Sequence, residues 1–347
     1  MGRATSAAGR LALALAALSL FVLAILLLKN GASSIQPFVR GFLQVDGPVS
    51  ALGFGWLLSY VALSGSPVAA TAIGLLGGGL LTNIEAFFMI GGSRFGAAMV
   101  VLLIGFIYQL RGHARHTSLM TGVLALMVTI TIYLPALALG YFVFSSGALD
   151  GIQVGTPPQV ADVIDLTFGR VADAALQALG GVPTFLLGLA TVAGALSLFD
   201  RAVPDFDPRS GRVPRMAGRI YRPSVMFAFG MAVTALTLSV SVSISLLVPL
   251  SAKGYVRREN LIPYIMGANI TTFIDTLLAA IVAGAGFTVV LAEMAAVFVV
   301  SLVVIGLFYT PYEERLMSLT NTIVSSTRSL LVFLVVLVLC PLLLLVL

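Results

Sequence analysis

Long apolar runs alternate along this chain with short polar segments that are mostly basic. Crossing a bilayer takes about 20 largely apolar residues in a helix. Runs of that kind occur at 11–28, 84–110, 117–144, 182–199, 261–285, 287–309 and 329–347. Two further apolar stretches, 50–81 and 223–250, are interrupted by small and polar residues. Irregular backbone at membrane depth survives only where it is buried in protein or lines a cavity, so both stretches are read as re-entrant helical hairpins. The pattern predicts an all-α integral membrane protein. The first run, Leu11 to Leu28, is longer than the usual apolar core of a signal peptide, about 7–15 residues, and is read as a spanning helix. Segment 160–179 carries Val163, Leu166, Val171, Ala174 and Leu176 at helical spacing. It is expected to be an amphipathic helix, either resting on the outer membrane surface or standing as an ordinary extracellular helix.

Composition agrees with that pattern. Of 347 residues, 59% are apolar and only 10% charged, and the mean hydropathy is +1.08. A soluble domain carries about a quarter charged residues, so the expected solvent is the lipid bilayer. The net charge of +5 does not point to nucleic acid, because the basic residues sit in short loops between apolar runs and there report orientation. Arg3, Arg10, Arg111, Arg115, the arginines of the 200–222 loop, Lys253, Arg257 and Arg258 form one set. Asp150, Asp162, Asp165 and Asp173, opposed only by Arg170, form the other. The positive-inside rule puts the first set, and the N-terminus, in the cytoplasm of a multi-pass plasma- or inner-membrane protein. The expected organisation is a first transmembrane repeat at 1–145, an extracellular segment at 146–181, a second repeat at 182–309 with a cytoplasmic loop at 200–222, and a C-terminal transmembrane helix at 310–347. Cys340 alone forms no internal disulfide. His113 and His116 lie in a basic loop without an acid or thiol and are not read as a metal site. No phosphate-binding loop, nucleophile elbow or zinc helix occurs, so no catalytic residue, enzymatic activity or cofactor is expected.

The chain repeats itself. Leu63-Ser64-Gly65-Ser66 corresponds to Leu238-Ser239-Val240-Ser241, and Gly92 corresponds to Gly267, each 175 residues on. An odd number of spans separates the two units, so the second copy is inverted in the membrane, and the charge pattern independently sends the two hairpins in from opposite faces. Paired broken segments in inverted repeats point to a secondary transporter with its site near the midplane. Hairpin tips leave helix N-termini with free N–H groups that attract anions. Ser64, Gly65, Ser66, Ser239 and Ser241 are suited to that role, and Pro67 is favoured in a first helical turn. The alternative is close helix packing by small residues.

These residues resemble the type II sodium/phosphate cotransporters, whose inverted halves each carry a Q-S-S-S stretch followed by a G-[AS]-N-I-G-T-T stretch. The similarity covers about 50–110 and 225–285, with Gly267-Ala268-Asn269-Ile270-Thr271-Thr272 the closest text. The resemblance implies sodium-dependent symport of phosphate or a similar small oxyanion, by alternating access, with sodium as the coupling ion. It implies substrate or sodium contacts at Ser64, Ser66, Ser239 and Ser241. It further implies site roles for Gly92, Ser93, Gly267, Ala268 and Asn269, and sodium ligands at Asn269, Thr271 and Thr272. The family's glutamines are Leu63 and Leu238 here, Arg94 replaces the first Asn, and Gly96-Ala97-Ala98 replaces the first G-T-T.

Arg94, Asp275, Glu293 and Glu85 fall within or near spans, where charge is costly and a functional candidate by default. Arg94 is expected either to bind the oxyanion with its forked guanidinium or to pair with Asp275 or Glu293. Those two acids are also candidate proton carriers. Two other readings remain: a proton-coupled anion transporter, and a non-transporting membrane scaffold that kept the fold.

Overall fold

A computed structural model describes residues 7–110, 115–149, 151–152, 158–202, 222–237, 240–245 and 257–347. Ser239, Leu238, Lys253, Asp150, His113, the side chains of Ser241 and His116, and most of the 200–222 loop lie outside the described residues. The described chain is helical and contains no strand. Among the described residues, seven helical stretches, the last at Thr327–Val346, are long and apolar enough to span a bilayer. The stretch expected as one C-terminal transmembrane helix at 310–347 is divided into two helices, Tyr309–Ser325 and Thr327–Val346, of which only the second is apolar enough to span. This last helix leaves Leu331, Val332, Val335, Val336 and Leu339 exposed, an outward face that suits lipid and not water. The chain is a multi-pass membrane protein.

The helices are α1 Ala7–Gly31, α2 Pro48–Ala62, α3 Ser66–Gly77, α4 Asn83–Leu110, α5 Arg115–Ser145, α6 Pro158–Ile164, α7 Arg170–Leu179 and α8 Gly181–Ala202. They continue as α9 Pro223–Thr237, α10 Val240–Ser245, α11 Leu261–Thr271, α12 Phe273–Ala283, α13 Phe287–Leu307, α14 Tyr309–Ser325 and α15 Thr327–Val346. A 3₁₀ turn at Ala32–Ile35 and a π turn at Pro37–Phe42 follow α1. The amphipathic segment expected at 160–179 is α6, a π turn at Asp165–Gly169, and α7.

The first hairpin is α2 and α3. Pro48 opens α2, and the Ser50 hydroxyl accepts from the N–H groups of Asp46 and Gly47, both at 3.1 Å. The arm ends at Leu63, whose φ of 49° is left-handed. Pro67 then starts α3 in its first turn. At 1.5 Å per residue the arms are about 22 and 18 Å long, short of a hydrocarbon core of about 30 Å. The tip sits against the middle of α4: a Cβ on Gly65 would stand 2.8 Å from the Ser93 carbonyl oxygen and 2.9 Å from the Ala97 Cβ. Leu52 meets Gly92 and Ser59 meets Gly96, so α2 runs parallel to α4. The hairpin therefore leaves and returns on the side where α4 begins. The far side of α2 receives the C-terminal helix: the Tyr60 hydroxyl donates to the Leu337 carbonyl at 2.9 Å.

The same packing recurs 175 residues later. A Cβ on Gly92 would lie 2.1 Å from the Leu52 oxygen, and one on Gly267 2.1 Å from the Phe227 oxygen. A Cβ on Gly55 would lie 2.1 Å from the Met89 oxygen, and one on Gly230 2.0 Å from the Tyr264 oxygen. Every partner is shifted by the same 175 positions. The span expected at 261–285 is two helices, α11 and α12, adjoining at Thr272, and together they match α4.

Two contacts fix the relative direction of the halves. The end of α1 at Gly31 packs on Gly181 and Phe185 at the start of α8, while Leu28 packs on Gly188. The corresponding first helices of the two repeats thus lie antiparallel. At the other pair, Gly77, just before α4 begins, faces Ala283 where α12 ends, and the Lys29 ammonium donates to the Ala283 carbonyl at 3.1 Å. Neighbouring copies that run antiparallel are turned over with respect to each other, so the hairpin arms α2 and α9 start from opposite ends of the bundle.

Glu85 is not a lone charge at depth. It stands in the first turn of α4 and forms an ion pair with Arg40 of the π turn. It also accepts from the Thr82 N–H at 2.7 Å and the Thr82 hydroxyl at 2.9 Å. Arg40 additionally donates to the carbonyls of Val45 and Leu80, the latter at 2.7 Å. This clamp joins the segment after α1 to the loop between α3 and α4.

Candidate functional site

Both hairpins contribute to one cavity. Its wall is Ser64, Gly65 and Ser66 from the first tip, Arg94, Ala97 and Ala98 from α4, Thr129 from α5, Val240 from α10, and Asn269 and Thr272 from the second repeat. Three pairs in this wall are related by the 175-residue offset: Gly65 with Val240, Arg94 with Asn269, and Ala97 with Thr272. The cavity therefore lies where the two copies meet. It leaves about 10 Å³ for the centre of a water-sized sphere, room for about one water. A tetrahedral oxyanion is several times larger than that space.

Arg94 dominates the wall. It is 4% exposed and lies near the middle of α4. Its guanidinium donates to the Thr272 hydroxyl at 3.2 Å and the Thr276 hydroxyl at 2.8 Å. It stands over the Phe273 ring, 4.6 Å from the centroid, where the ring's negative face supports a cation. Its Nε has no hydrogen-bond partner. The expected direct pairing with Asp275 or Glu293 does not occur: neither carboxylate comes within salt-bridge distance, and Thr276 stands between, donating to Asp275 Oδ1 at 2.9 Å. The reason is geometric, since Thr272 and Thr276 are one turn apart on the facing backbone and intercept the two arms of the fork. Asp275 neighbours both Ser66 and Arg94, and its Oδ2 is unpartnered.

On the second-repeat side, the Asn269 amide donates to the Thr129 hydroxyl at 3.3 Å, and the Tyr133 hydroxyl donates to the Asn269 carbonyl at 2.9 Å. Thr234 donates to Ser243 at 2.7 Å, and Ser243 shares a hydrogen bond with the Tyr264 hydroxyl at 2.8 Å. These bonds tie both arms of the second hairpin to α11.

Of the residues expected to form the site, Ser64, Gly65, Ser66, Arg94, Asn269 and Thr272 converge on the cavity. Others serve the helix contacts behind it. Gly92 and Gly267 touch the backbone of the hairpin arms. Ser93 donates to the Ile90 carbonyl at 2.6 Å, Thr271 donates to the Met231 carbonyl at 3.0 Å, and Ala268 is fully buried. Their side chains do not reach the cavity because motif residues three or four apart share a helix face, and the other faces pack. Thr129, Thr276, Phe273 and Tyr133 complete the site without belonging to either motif. Among the described residues, no cluster of His, Cys, Asp or Glu could hold a metal ion. A comparison with protein-family models, curated proteins and solved structures finds no match to this chain.

Proposed function

We propose that the protein is a secondary active transporter that carries a small tetrahedral oxyanion of the phosphate class by alternating access, coupled to a cation. The observation that carries this reading is the cavity at the contact of two oppositely directed repeats, with the buried Arg94 guanidinium and two serines of a helix-starting tip in its wall. The cation and the N-terminus of α3 attract an anion, and the serine and threonine hydroxyls supply further donors. Rocking one repeat against the other opens the cavity to either side in turn. Sodium is the coupling ion implied by the resemblance to sodium/phosphate cotransporters, with Asn269 and Thr272 its candidate ligands in the cavity wall. The basic residues between the spans support a cytoplasmic N-terminus in a plasma or inner membrane.

Purified protein in liposomes, given radiolabelled phosphate and an inward sodium, potassium or proton gradient, is expected to accumulate phosphate under sodium or protons but not potassium. A scaffold that only keeps the fold is the competing reading. It draws support from Leu63, which replaces the family's glutamine and is 57% exposed, away from the cavity. Absence of both accumulation and phosphate counterflow would reject transport of this substrate class.

A further inference from the structure

Glu293 is left unused by the oxyanion pocket. It lies on α13, is fully buried, and neither carboxylate oxygen has a hydrogen-bond partner. Its Oε1 is 3.2 Å from the point where a Cβ on Gly91 would stand, and the Leu137 side chain crowds the same point at 2.5 Å. Gly91 is one helical turn before Arg94. The ionisable side chains that interact with Glu293 are Arg94 from α4 and Tyr133 from α5. From α12, Asp275 faces the same Arg94 and Tyr133.

The charges near Arg94 do not balance. One guanidinium serves two buried carboxylates, Asp275 and Glu293, and three of their four oxygens make no hydrogen bond to it or to anything else. With both acids ionised, the region would be net negative before any anion arrived, and a low-dielectric interior magnifies that repulsion. Neutralising one of the two acids as the oxyanion enters would relieve that repulsion. Sodium needs a shell of several oxygens, whereas no hydrogen-bonding group meets either Glu293 oxygen and Oε1 stands beside Gly91. A proton needs only the carboxylate.

Resting on the transport reading above, we propose that Glu293 is a proton-binding site coupled to the oxyanion pocket through Arg94. Glu293 takes a proton from the aqueous phase to which the pocket is open, becoming a neutral acid. Arg94 is then free to direct its field and its unpartnered Nε to the oxyanion. After the repeats rock, the proton leaves to the other side and the carboxylate is restored. No bond in the oxyanion is made or broken.

The test uses liposomes without sodium at clamped zero potential. One proton per anion gives at most about tenfold accumulation per pH unit of gradient. The wild type is expected to accumulate phosphate under an acid-outside gradient and to lose this with a protonophore. In Glu293→Gln the ratio of gradient-driven accumulation to counterflow falls to near one, whereas Glu293→Asp retains coupling. Infrared difference spectra of the purified protein on phosphate addition provide a readout that does not need transport: a carboxylic-acid carbonyl band is expected in the wild type and is missing in Glu293→Gln. Accumulation by Glu293→Gln equal to wild type, or an infrared difference without that band, overturns the proposal. Wild-type accumulation under sodium with a flat response to pH also overturns it while leaving the transport reading standing. Absence of all phosphate movement, with the infrared band present, sinks the transport reading alone.

Discussion

Replacing Gly92 by alanine probes the hairpin, the repeat and the site together. The new Cβ would stand 2.1 Å from the Leu52 oxygen and 3.0 Å from the Trp56 nitrogen. Both are backbone atoms, so no side-chain rotation relieves the clash. Arm α2 must retreat by about 1 Å or more, and overpacking of this kind costs about 1–3 kcal/mol. That corresponds to roughly a 5- to 150-fold change in an equilibrium. The Ser64–Ser66 tip rides on the same arm and moves away from Arg94. Gly267→Ala faces the same geometry, 2.1 Å from the Phe227 oxygen, and should cost a similar amount at the second hairpin. Gly194→Ala is the control: nothing lies within 4 Å of its Cβ position, and alanine in an exposed helix gains about 1 kcal/mol over glycine. Thermal melting in detergent, followed by size exclusion, is expected to fall for both motif glycines and to hold or rise for Gly194→Ala. If Gly267→Ala melts like Gly194→Ala while Gly92→Ala is crippled, the equivalence of the two repeats is wrong.

Three further outcomes follow from the charged groups. Arg94→Lys keeps the charge but loses the fork onto Thr272 and Thr276, so the phosphate concentration for half-maximal uptake should rise about tenfold, the equivalent of roughly 1.4 kcal/mol; an unchanged value would remove Arg94 from the binding step. Arg40→Ala leaves the Glu85 carboxylate without its partner and is expected to destabilise the protein by about 1–2 kcal/mol, discounted because Arg40 is partly exposed; the melting temperature of Glu85→Gln should fall less. Glu313 on α14 is held above the usual carboxylate range by burial and by the nearby Glu259. Its proton is bound more tightly folded than unfolded, so its contribution is most favourable in acid and is lost as pH rises through its folded-state value. Glu313→Gln should therefore raise the melting temperature slightly at about pH 7 and leave it unchanged at about pH 4.

The spans were legible because lipid imposes a long apolar run on each of them. Expected bounds such as 84–110 and 182–199 differ by at most a few residues from α4 and α8. The hairpins were legible from Ser64-Gly65-Ser66-Pro67, and the repeat from a spacing that packing glycines cannot change. Three things left no such trace. Helix α14 carries Glu313, Glu314 and Arg315 and lacks a spanning hydropathy signal. The Arg40–Glu85 pair joins positions 45 residues apart, and no local pattern announces a contact that only folding creates. Thr129 enters the site because α5 faces the cavity and Thr276 because it meets Arg94, and a lone threonine in an apolar helix looks the same whether it faces a site or bonds back to the carbonyl four residues earlier, as Thr129 also does to Ala125 at 2.9 Å.

The two halves share a scaffold but divide the chemistry. Where the copies touch backbone, both keep glycine, at Gly55 with Gly230 and Gly92 with Gly267. Where they face the cavity they differ: Arg94 stands opposite Asn269, and Ala97 opposite Thr272. Two arms of the fixed cation of one half are thus met by hydroxyls of the other, at Thr272 and Thr276. Any motion that parts the halves must break the 3.2 and 2.8 Å bonds from Arg94 to Thr272 and Thr276, and an oxyanion is the natural replacement acceptor. Empty and anion-filled states then compete for one guanidinium. Thr272→Val removes an acceptor from the empty state, leaving a buried donor unpaired at a cost of about 1–3 kcal/mol. The empty protein should melt lower, and added phosphate should raise its melting temperature more than it does for the wild type, because the ligand repairs what the substitution broke. A phosphate-induced shift in Thr272→Val smaller than in wild type would mean that this hydroxyl serves the filled site, and the competition between the two states would be refuted.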